Sequence, residues 1–321
     1  MNSRLRKSRE FDLITSLFSK SRAPSFDLGI GDDAAVFSPP SNQSLVLSID
    51  TSVEGRHFPA GFPPEFIAKR ALGSALSDIA AMGAQPHHFT IALTLPEFDT
   101  VWCERFSTGL YDLAEQFNIS LVGGDTTKGP LTISIQVHGL VDKGNYLTRS
   151  SASPADLIFV SGCLGDAHAG LLLALEGKEL TEPYQQALFE SFASPTPQIA
   201  LGMAVNGLAS SALDVSDGLL ADLEHLCCAS GLSAELELSA VPLSDDLLKY
   251  RDYDFAMQAA LNGGDDYQLL ITASSDKRQR LLELGFIEIG AMLADEGSVL
   301  SAKLNGESVA LPEKRGFDHF E

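Results

Sequence analysis

Short apolar runs in this sequence end at an aspartate, and glycine often stands next to that aspartate. Residues 45–50 (LVLSID), 119–125 (ISLVGGD) and 212–214 (ALD) are three such runs. Apolar runs of this length, rich in β-branched residues, are typical of buried strands. Because their neighbours are glycine or apolar residues, a solvated run of surface charge does not explain these aspartates. We therefore expect a fold in which carboxylates gather at the ends of strands.

Strand-like and helix-like segments alternate along the whole chain. The predicted helices are residues 9–19, 64–82, 101–117, 167–175, 219–229 and 276–284, and the predicted strands are residues 45–50, 88–95, 119–122, 131–141, 157–161, 212–215 and 267–272. Small polar residues at 150–154 predict a domain boundary. A chain of 321 residues is long enough for two domains, here predicted as 1–150 and 151–321, each of the α/β class with strands and helices mixed.

The charge balance restricts the possible partners. Lys and Arg number 22 against 43 Asp and Glu, which gives a net charge of −21. Such a surface repels nucleic acid and anionic membranes, so neither is expected as a partner. Phosphates remain possible ligands if metal cations lie between them and the protein. The four cysteines form no C-x-x-C motif, which predicts a reducing, cytoplasmic location.

The aspartates favour a hard metal ion. Clustered carboxylates raise one another's pKa unless a cation neutralises them. Oxygen ligands without a His or Cys partner suit magnesium, calcium or manganese better than zinc. Each aspartate also has a purely structural alternative. Asp217 is well placed to cap the helix that starts near Leu219, and Asp32 and Asp33 are common turn residues. Asp78 is harder to explain in this way, because helix interiors disfavour Asp.

Two nucleotide-binding motifs are excluded. The P-loop pattern G-x-x-x-x-G-K-[ST] does not occur. Residues 29–34 (GIGDDA) match G-x-G-x-x-A by letter, but residues 35–37 predict a strand where a dinucleotide site needs a helix. The two aspartates in this segment would also repel a pyrophosphate. The phosphate site is therefore expected to depend on metal ions.

Six motifs together resemble the thiamine-monophosphate kinase family, within the larger group that includes aminoimidazole ribonucleotide synthetase. They are residues 29–34 (GIGDDA), 76–84 (LSDIAAMGA), 123–127 (GGDTT), 147–150 (LTRS), 214–219 (DVSDGL) and 263–267 (GGDDY), with a GFDHF tail at 316–320. The resemblance implies a two-domain fold like that of aminoimidazole ribonucleotide synthetase. It also implies a homodimer built through the N-terminal halves, and direct magnesium-assisted phosphoryl transfer from ATP to thiamine monophosphate.

The same resemblance implies the site residues. The implied magnesium ligands are Asp33, Ser48, Ile49, Asp50, Asp78, Asp125, Asp214 and Asp217. The implied ATP contacts are Tyr111, Gly124, Asp125, Arg149 and Ser216, and the implied contacts to thiamine monophosphate are His57, Asp265 and Phe317. This sequence departs from the family at Asp265, where the family commonly has Glu. The shorter carboxylate puts that substrate contact in question.

Two other functions fit part of the pattern. A relative such as an aminoimidazole ribonucleotide synthetase would also use ATP, although the LSDIAAMG helix and the GFDHF tail weigh against it. A non-catalytic sensor of metal-bound nucleotide would keep the aspartates without turnover. A substrate panel separates the first from a kinase. Release of ADP that depends on thiamine monophosphate excludes the second.

Overall fold

The structure is a computed structural model, and it describes residues 17–18, 27–30, 33–294, 297, 299–312 and 316. The chain forms two compact units. Unit 1 takes in residues up to Ala75 together with Pro86–Leu140, and unit 2 takes in Leu76–Gln85 together with Val141 onwards. The domain boundary predicted at residue 150 stays a prediction.

Unit 1 is built around a four-stranded sheet. In chain order its elements are β1 (Gln43–Val53), α1 (Pro64–Ala81), β2 (Gln85–Leu95), α2 (Thr100–Gln116), β3 (Ser120–Lys128) and β4 (Thr132–Asp142). The strand order is β1-β4-β2-β3, with β2 and β3 parallel. Strands β1 and β3 are therefore the two edges of this sheet. Helix α1 starts in unit 1, and its last residues, from Leu76, belong to unit 2.

Local sequence explains why these elements form where they do. Asp99 caps α2, because its carboxylate accepts the backbone N–H groups of Val101 and Trp102. Strand β4 alternates fully buried Ile133, Ile135 and Val137 with less buried residues, as a strand with one face on a core must. The predicted helix at 101–117 and the predicted strand at 131–141 are thus confirmed.

Strand β3 is longer than predicted. The sequence indicated a strand that stops before Gly123, but the structure continues it through Gly123, Gly124 and Asp125 to Lys128. Gly124 pairs with Ile91 of β2, and a Cβ atom at Gly124 would lie 2.1 Å from the Ile91 carbonyl oxygen. Gly124 therefore lets the two strands approach closely, and it does not end the strand.

Unit 2 contains a seven-stranded sheet with helices. Its strands are β5 (Leu157–Val160), β6 (Ser211–Asp214), β7 (Ser233–Glu237), β8 (Leu269–Ala273), β9 (Ile287–Leu293), β10 (Leu300–Leu304) and β11 (Glu307–Val309). Its helices are α3 (Asp166–Glu176), α4 (Pro183–Ala193), α5 (Ile199–Val205), α6 (Leu219–Ser230), α7 (Asp245–Tyr250), α8 (Tyr253–Asn262) and α9 (Arg278–Glu283). The strand order is β11-β10-β7-β9-β5-β8-β6, and a core of buried Leu, Val, Ile and Ala side chains includes Leu213, Leu220 and Leu223.

Several elements differ from those that the sequence predicted. The predicted strand at 35–37 forms only a single bridge, between Leu28 and Val36. The predicted helix at 9–19 lies almost wholly outside the described residues. Strands β7, β9, β10 and β11 were not predicted. Of these, β7 and β10 pair in parallel, with an ion pair of 2.8 Å between Glu235 Oε1 and Lys303 Nζ. Within the part of the chain described here, no helix is both long enough and apolar enough to cross a membrane.

Candidate active site

Two carboxylates stand close together in unit 2. Strand β6 ends at Asp214, whose side chain is buried, and half-buried Asp78 lies near the C-terminal end of α1. Burial, together with the charge of the nearby Asp78, raises the pKa of the Asp214 carboxyl to about 6, although Arg149 offsets part of that rise. The pair is therefore an excess of negative charge in a poorly solvated place. A divalent cation would relieve that excess.

The loop after β6 turns sharply into α6. The Val215 N–H donates to the Gln268 carbonyl at 2.8 Å, and Gly218 adopts a φ of +116° just before the helix begins. Gly218 is the N-cap residue and has no side-chain cap. The alternative in which Asp217 caps this helix is therefore wrong, because the turn at Gly218 shifts the helix start past it.

A residue that the sequence analysis missed holds this loop. Asp222, in the first turn of α6, accepts the N–H groups of Ser216, Asp217 and Gly218 on one oxygen, Oδ2, at 3.0, 3.0 and 3.1 Å. Burial, together with the charges of Asp217 and Asp214, raises the pKa of the Asp222 carboxyl to about 8, although the backbone donors offset part of that rise. The available signal was an acidic residue in the first helical turn after a glycine.

The GGDDY segment lies against this loop. The Asp265 N–H donates to the Ser216 carbonyl at 2.8 Å, and the Tyr267 hydroxyl donates to Asp265 Oδ1 at 3.2 Å. Asp265 and Tyr267 both have positive φ values, +71° and +48°, which non-glycine residues adopt only when their surroundings impose it. A Cβ atom on Gly264 would lie 2.3 Å from the Ser216 carbonyl oxygen. The two segments are thus held together by their backbones.

The neighbouring aspartates of this segment have different tasks. Asp266 accepts the N–H of Gly165 at 2.7 Å and that of Ala167 at 3.2 Å, so it caps α3 from a distant part of the chain. The Asp265 carboxylate is instead held by a hydroxyl, at the position implied for substrate binding. Only Asp265 of the two was predicted as a site residue, and the structure gives Asp266 a structural role.

The C-terminal segment also reaches the β6–α6 loop. A Cβ atom on Gly316 would lie 2.5 Å from the Ala221 Cβ and 2.9 Å from the Asp217 carbonyl oxygen. Gly316 itself has a φ of +69°. Its neighbour Phe317, predicted to contact substrate, lies outside the described residues.

The predicted residues of unit 1 are spread over its sheet. Ser48 and Asp50 lie half-buried on one face of β1, while Ile49 points to the other face and is 65% exposed. An apolar side chain is no metal ligand, so Ile49 has only its carbonyl oxygen to offer. Asp125 is exposed on β3, at the opposite edge of the sheet, and Asp33 is exposed before β1.

Three further predicted residues make defined contacts. His57 Nδ1 accepts the Val53 N–H at 3.0 Å, which places the proton of a neutral imidazole on Nε2. The Tyr111 hydroxyl donates to the Phe18 carbonyl at 2.8 Å. Arg149 is exposed, and its own carbonyl accepts the Ser230 hydroxyl at 2.9 Å, which fixes its main chain beside the end of α6.

Similarity to known proteins agrees with this architecture. Two family models match: AIR synthase related protein, N-terminal domain, over residues 31–141, and its C-terminal domain over residues 153–285. A thiamine-monophosphate kinase of Escherichia coli strain K12 is 41% identical over 320 residues, covering 97% of this chain and 98% of its own. The chain belongs to the thiamine-monophosphate kinase family. The two-domain fold implied by the motifs is therefore confirmed.

Solved structures of this kinase family match 95% or more of this chain. The thiamine-monophosphate kinase of Stenotrophomonas maltophilia K279a is 38% identical with a TM-score of 0.84, over 95% of this chain and 98% of its own. AaThiL complexed with AMPPCP and TMP is 34% identical with a TM-score of 0.79, over 100% of both chains.

Within this kinase-family fold, the structure brings some of the predicted residues together. Asp78 neighbours Asp214, and the loop of Ser216 and Asp217 is bonded to Asp265. Across the described parts of the chain, no three His, Cys, Asp or Glu side chains form a group that could hold a metal ion. Magnesium commonly takes only one or two protein carboxylates and completes its shell with water and phosphate, so the Asp78–Asp214 pair suits it.

Proposed function

We propose that this protein transfers the γ-phosphoryl group of ATP to thiamine monophosphate, yielding thiamine diphosphate and ADP. The observation that carries the proposal is the full-length likeness to AaThiL complexed with AMPPCP and TMP. The family's acidic motifs are present, and the Asp78–Asp214 pair has the charge excess that metal-bound phosphate recognition requires.

The proposal includes magnesium. In unit 2 the oxygens of Asp78 and Asp214, with Asp217, would hold the ion, and in unit 1 Asp33, Ser48, the Ile49 carbonyl, Asp50 and Asp125 are the proposed ligands. A bound magnesium ion would neutralise charge on the phosphoryl oxygens. The carboxylates need no proton transfer for this task, and their mutual repulsion favours taking up a cation.

The reaction itself requires little from side chains. An oxygen of the thiamine monophosphate phosphate forms the new bond to the γ-phosphorus, and the bond to the oxygen that bridges the β- and γ-phosphorus atoms breaks, so that ADP leaves. A phosphate monoester has a second pKa of about 6 and is largely dianionic at neutral pH, so no strong base is needed. His57, with its proton on Nε2, is the proposed donor to that phosphate, and Arg149 and Ser216 are the proposed nucleotide contacts.

A turnover assay tests this function directly. The purified protein should release ADP and form thiamine diphosphate in equal amounts only when ATP, thiamine monophosphate and magnesium are all present. Mass spectrometry identifies the product, and aminoimidazole-type substrates serve as the comparison panel. ADP release that does not depend on thiamine monophosphate, or no release at all, would refute the kinase assignment.

We also propose that the protein is a homodimer joined through unit 1. Edge strand β1 exposes the apolar side chains of Leu45, Leu47 and Ile49 in a row, and uncovered edges of this kind tend to pair with another chain. Asp50 on β1 and Asp125 on β3 lie at opposite edges of the sheet, roughly 14 Å apart at ~4.8 Å per strand. One ion cannot bind both within one chain. In a dimer, a partner's edge can supply the second carboxylate.

Mixed dimers test this arrangement. Asp50→Asn and Asp125→Asn should each be inactive alone, because each lacks a carboxylate in every site. Co-refolded in equal amounts, they should recover roughly a quarter of wild-type turnover, since half the dimers are mixed and each has one complete site. A mixture as inactive as its components, or a monomer in analytical ultracentrifugation, would contradict shared sites.

A cytoplasmic location also belongs to the proposal. All four cysteines are unpaired. Burial raises the pKa of Cys103 to about 11 and that of Cys227 to about 12, so both stay as unreactive thiols. Unpaired cysteines are typical of a reducing compartment.

A further inference from the structure

The N-terminus of α6 has an acceptor for its N–H groups within the same helix. The N–H groups of Ser216, Asp217 and Gly218 converge on Oδ2 of Asp222, a residue that is only 5% exposed. Successive N–H groups at the start of a helix usually form a binding site for phosphate or another anion. Here that position is filled by a side chain of the same helix.

This arrangement decides how the loop can meet a polyphosphate. Because Asp222 already takes all three N–H groups, a phosphate cannot use them. The loop carries Asp217 and follows Asp214, so its surroundings are negative and need a cation between protein and phosphate. The same helix start that binds phosphate directly in other folds is thereby suited to metal-bound phosphate.

Asp222 also fixes the end of this loop that leads into α6. Gly218, the N-cap residue, provides no side chain, and a Cβ atom there would lie 2.9 Å from the Asn262 backbone. On the other side, the Ser216 carbonyl accepts the Asp265 N–H. The loop is thus held between a carboxylate on its N–H groups and a backbone donor on its carbonyl group.

We propose that Asp222 is a positioning residue, whose carboxylate holds residues 216–218 in the conformation in which Ser216 and Asp217 meet metal-bound nucleotide. This inference rests on the proposed function. The Asp222 side chain bonds to the backbone of this loop, so we infer that it acts through Ser216 and Asp217.

The test is the Asp222→Asn variant, studied by ligand binding and by hydrogen exchange. In this variant the NH₂ group of the carboxamide brings two N–H donors towards the three backbone N–H donors, which disfavours the native arrangement of the loop. Exchange of backbone amides in the peptide 214–220 should become faster. By calorimetry, the Kd for AMPPCP with magnesium should rise at least about tenfold, while the Kd for thiamine monophosphate changes less than about threefold.

Asp156→Asn is the matched control. Asp156 is 4% exposed, lies in the same unit, and its carboxylate accepts the Ser153 N–H at 2.9 Å. It therefore shares the burial and the backbone acceptor role of Asp222 but serves a different loop. Asp156→Asn should leave both Kd values and the exchange of 214–220 as in the wild type.

Five outcomes separate the possibilities. Selective weakening of AMPPCP binding with faster exchange at 214–220 supports the inference. Equal weakening of both ligands, or unchanged AMPPCP binding, overturns it. If Asp222→Asn does not fold, Asp222→Glu, which keeps the carboxylate one methylene further out, must show the same selectivity or the inference fails. A wild-type protein that binds neither ligand would overturn the proposed function itself.

Discussion

Replacing Asp214 by Asn is expected to abolish turnover and, at the same time, to stabilise the metal-free protein. Asp214 is a proposed metal ligand, and an amide oxygen is a poorer ligand for magnesium than a carboxylate. Turnover should fall by about a thousandfold, equal to roughly 4 kcal/mol of lost transition-state stabilisation. The opposite effect on stability follows from the pKa of this carboxyl.

The sign of the stability effect depends on pH. The folded protein holds the Asp214 proton up to a pH of about 6, against a usual value of 3.8, so ionisation costs stability as pH rises between these values. Above pH 6 the ionised Asp214 lowers the free energy of unfolding by at most about 3 kcal/mol, and an Asn side chain, which does not ionise, avoids this loss. The gain of Asp214→Asn in urea unfolding should be largest above pH 6 and fade towards pH 4.

The control for this experiment is Asp156→Asn, which removes a buried carboxylate elsewhere in unit 2. It should keep near-normal turnover and gain no stability. If Asp214→Asn instead lowered the stability of the metal-free protein at pH 7.5, the carboxylate would be part of a structural hydrogen-bond network. Near-normal turnover at saturating magnesium would remove Asp214 from the proposed ligand set.

Two adjacent glycines should respond very differently to alanine. A Cβ atom at Gly124 would lie 2.1 Å from the Ile91 carbonyl oxygen, whereas one at Gly123 would meet only the Thr90 methyl group, at 3.7 Å. Gly124→Ala must push β3 away from β2, which should lower the free energy of unfolding by roughly 2–4 kcal/mol. Gly123→Ala should change it by less than about 1 kcal/mol.

Urea unfolding without nucleotide distinguishes two explanations for a glycine at position 124, a nucleotide contact and the close approach of β2. The family resemblance implies a nucleotide contact there, and such a contact has no influence on the stability of the ligand-free protein. A large loss for Gly124→Ala in the absence of ATP would establish the strand–strand approach. Equal behaviour of the two variants would show that β3 adjusts freely at this point.

The fold class and part of the candidate site could be predicted from the sequence. Asp214 could be predicted as a candidate site residue because it ends a short apolar strand, where a charged side chain has few structural roles. Asp222 could not, because an acidic residue in the first turn of a helix is usually a surface residue that favours the helix dipole. Its three bonds depend on the turn at Gly218, which no periodicity reveals. The order of the motifs along the chain was enough to indicate the family. The contacts of Asp222 depend on the backbone conformation of the loop, which the motifs do not specify.

The strands that escaped prediction follow the same logic. Strands β7 and β10 are only five residues long and mix charged, small and apolar residues, and their pairing is supported by the Glu235–Lys303 ion pair across the sheet. Such a contact joins residues far apart in the chain and has no local signature. The predicted strand was shorter than β3 because two adjacent glycines usually end a strand. Here Gly124 lies within the strand, because the close approach of β2 leaves no room for a side chain.

The contact of Gly316 with Ala221 and Asp217 has a practical consequence for preparing this protein. An affinity tag fused after Glu321 begins only five residues from a backbone that packs on the β6–α6 loop. Nucleotide affinities measured on such a fusion would report on the tag as well as on the native chain. A protease site that removes the fusion completely, or comparison with a protein carrying no fusion, is the suitable design for binding studies.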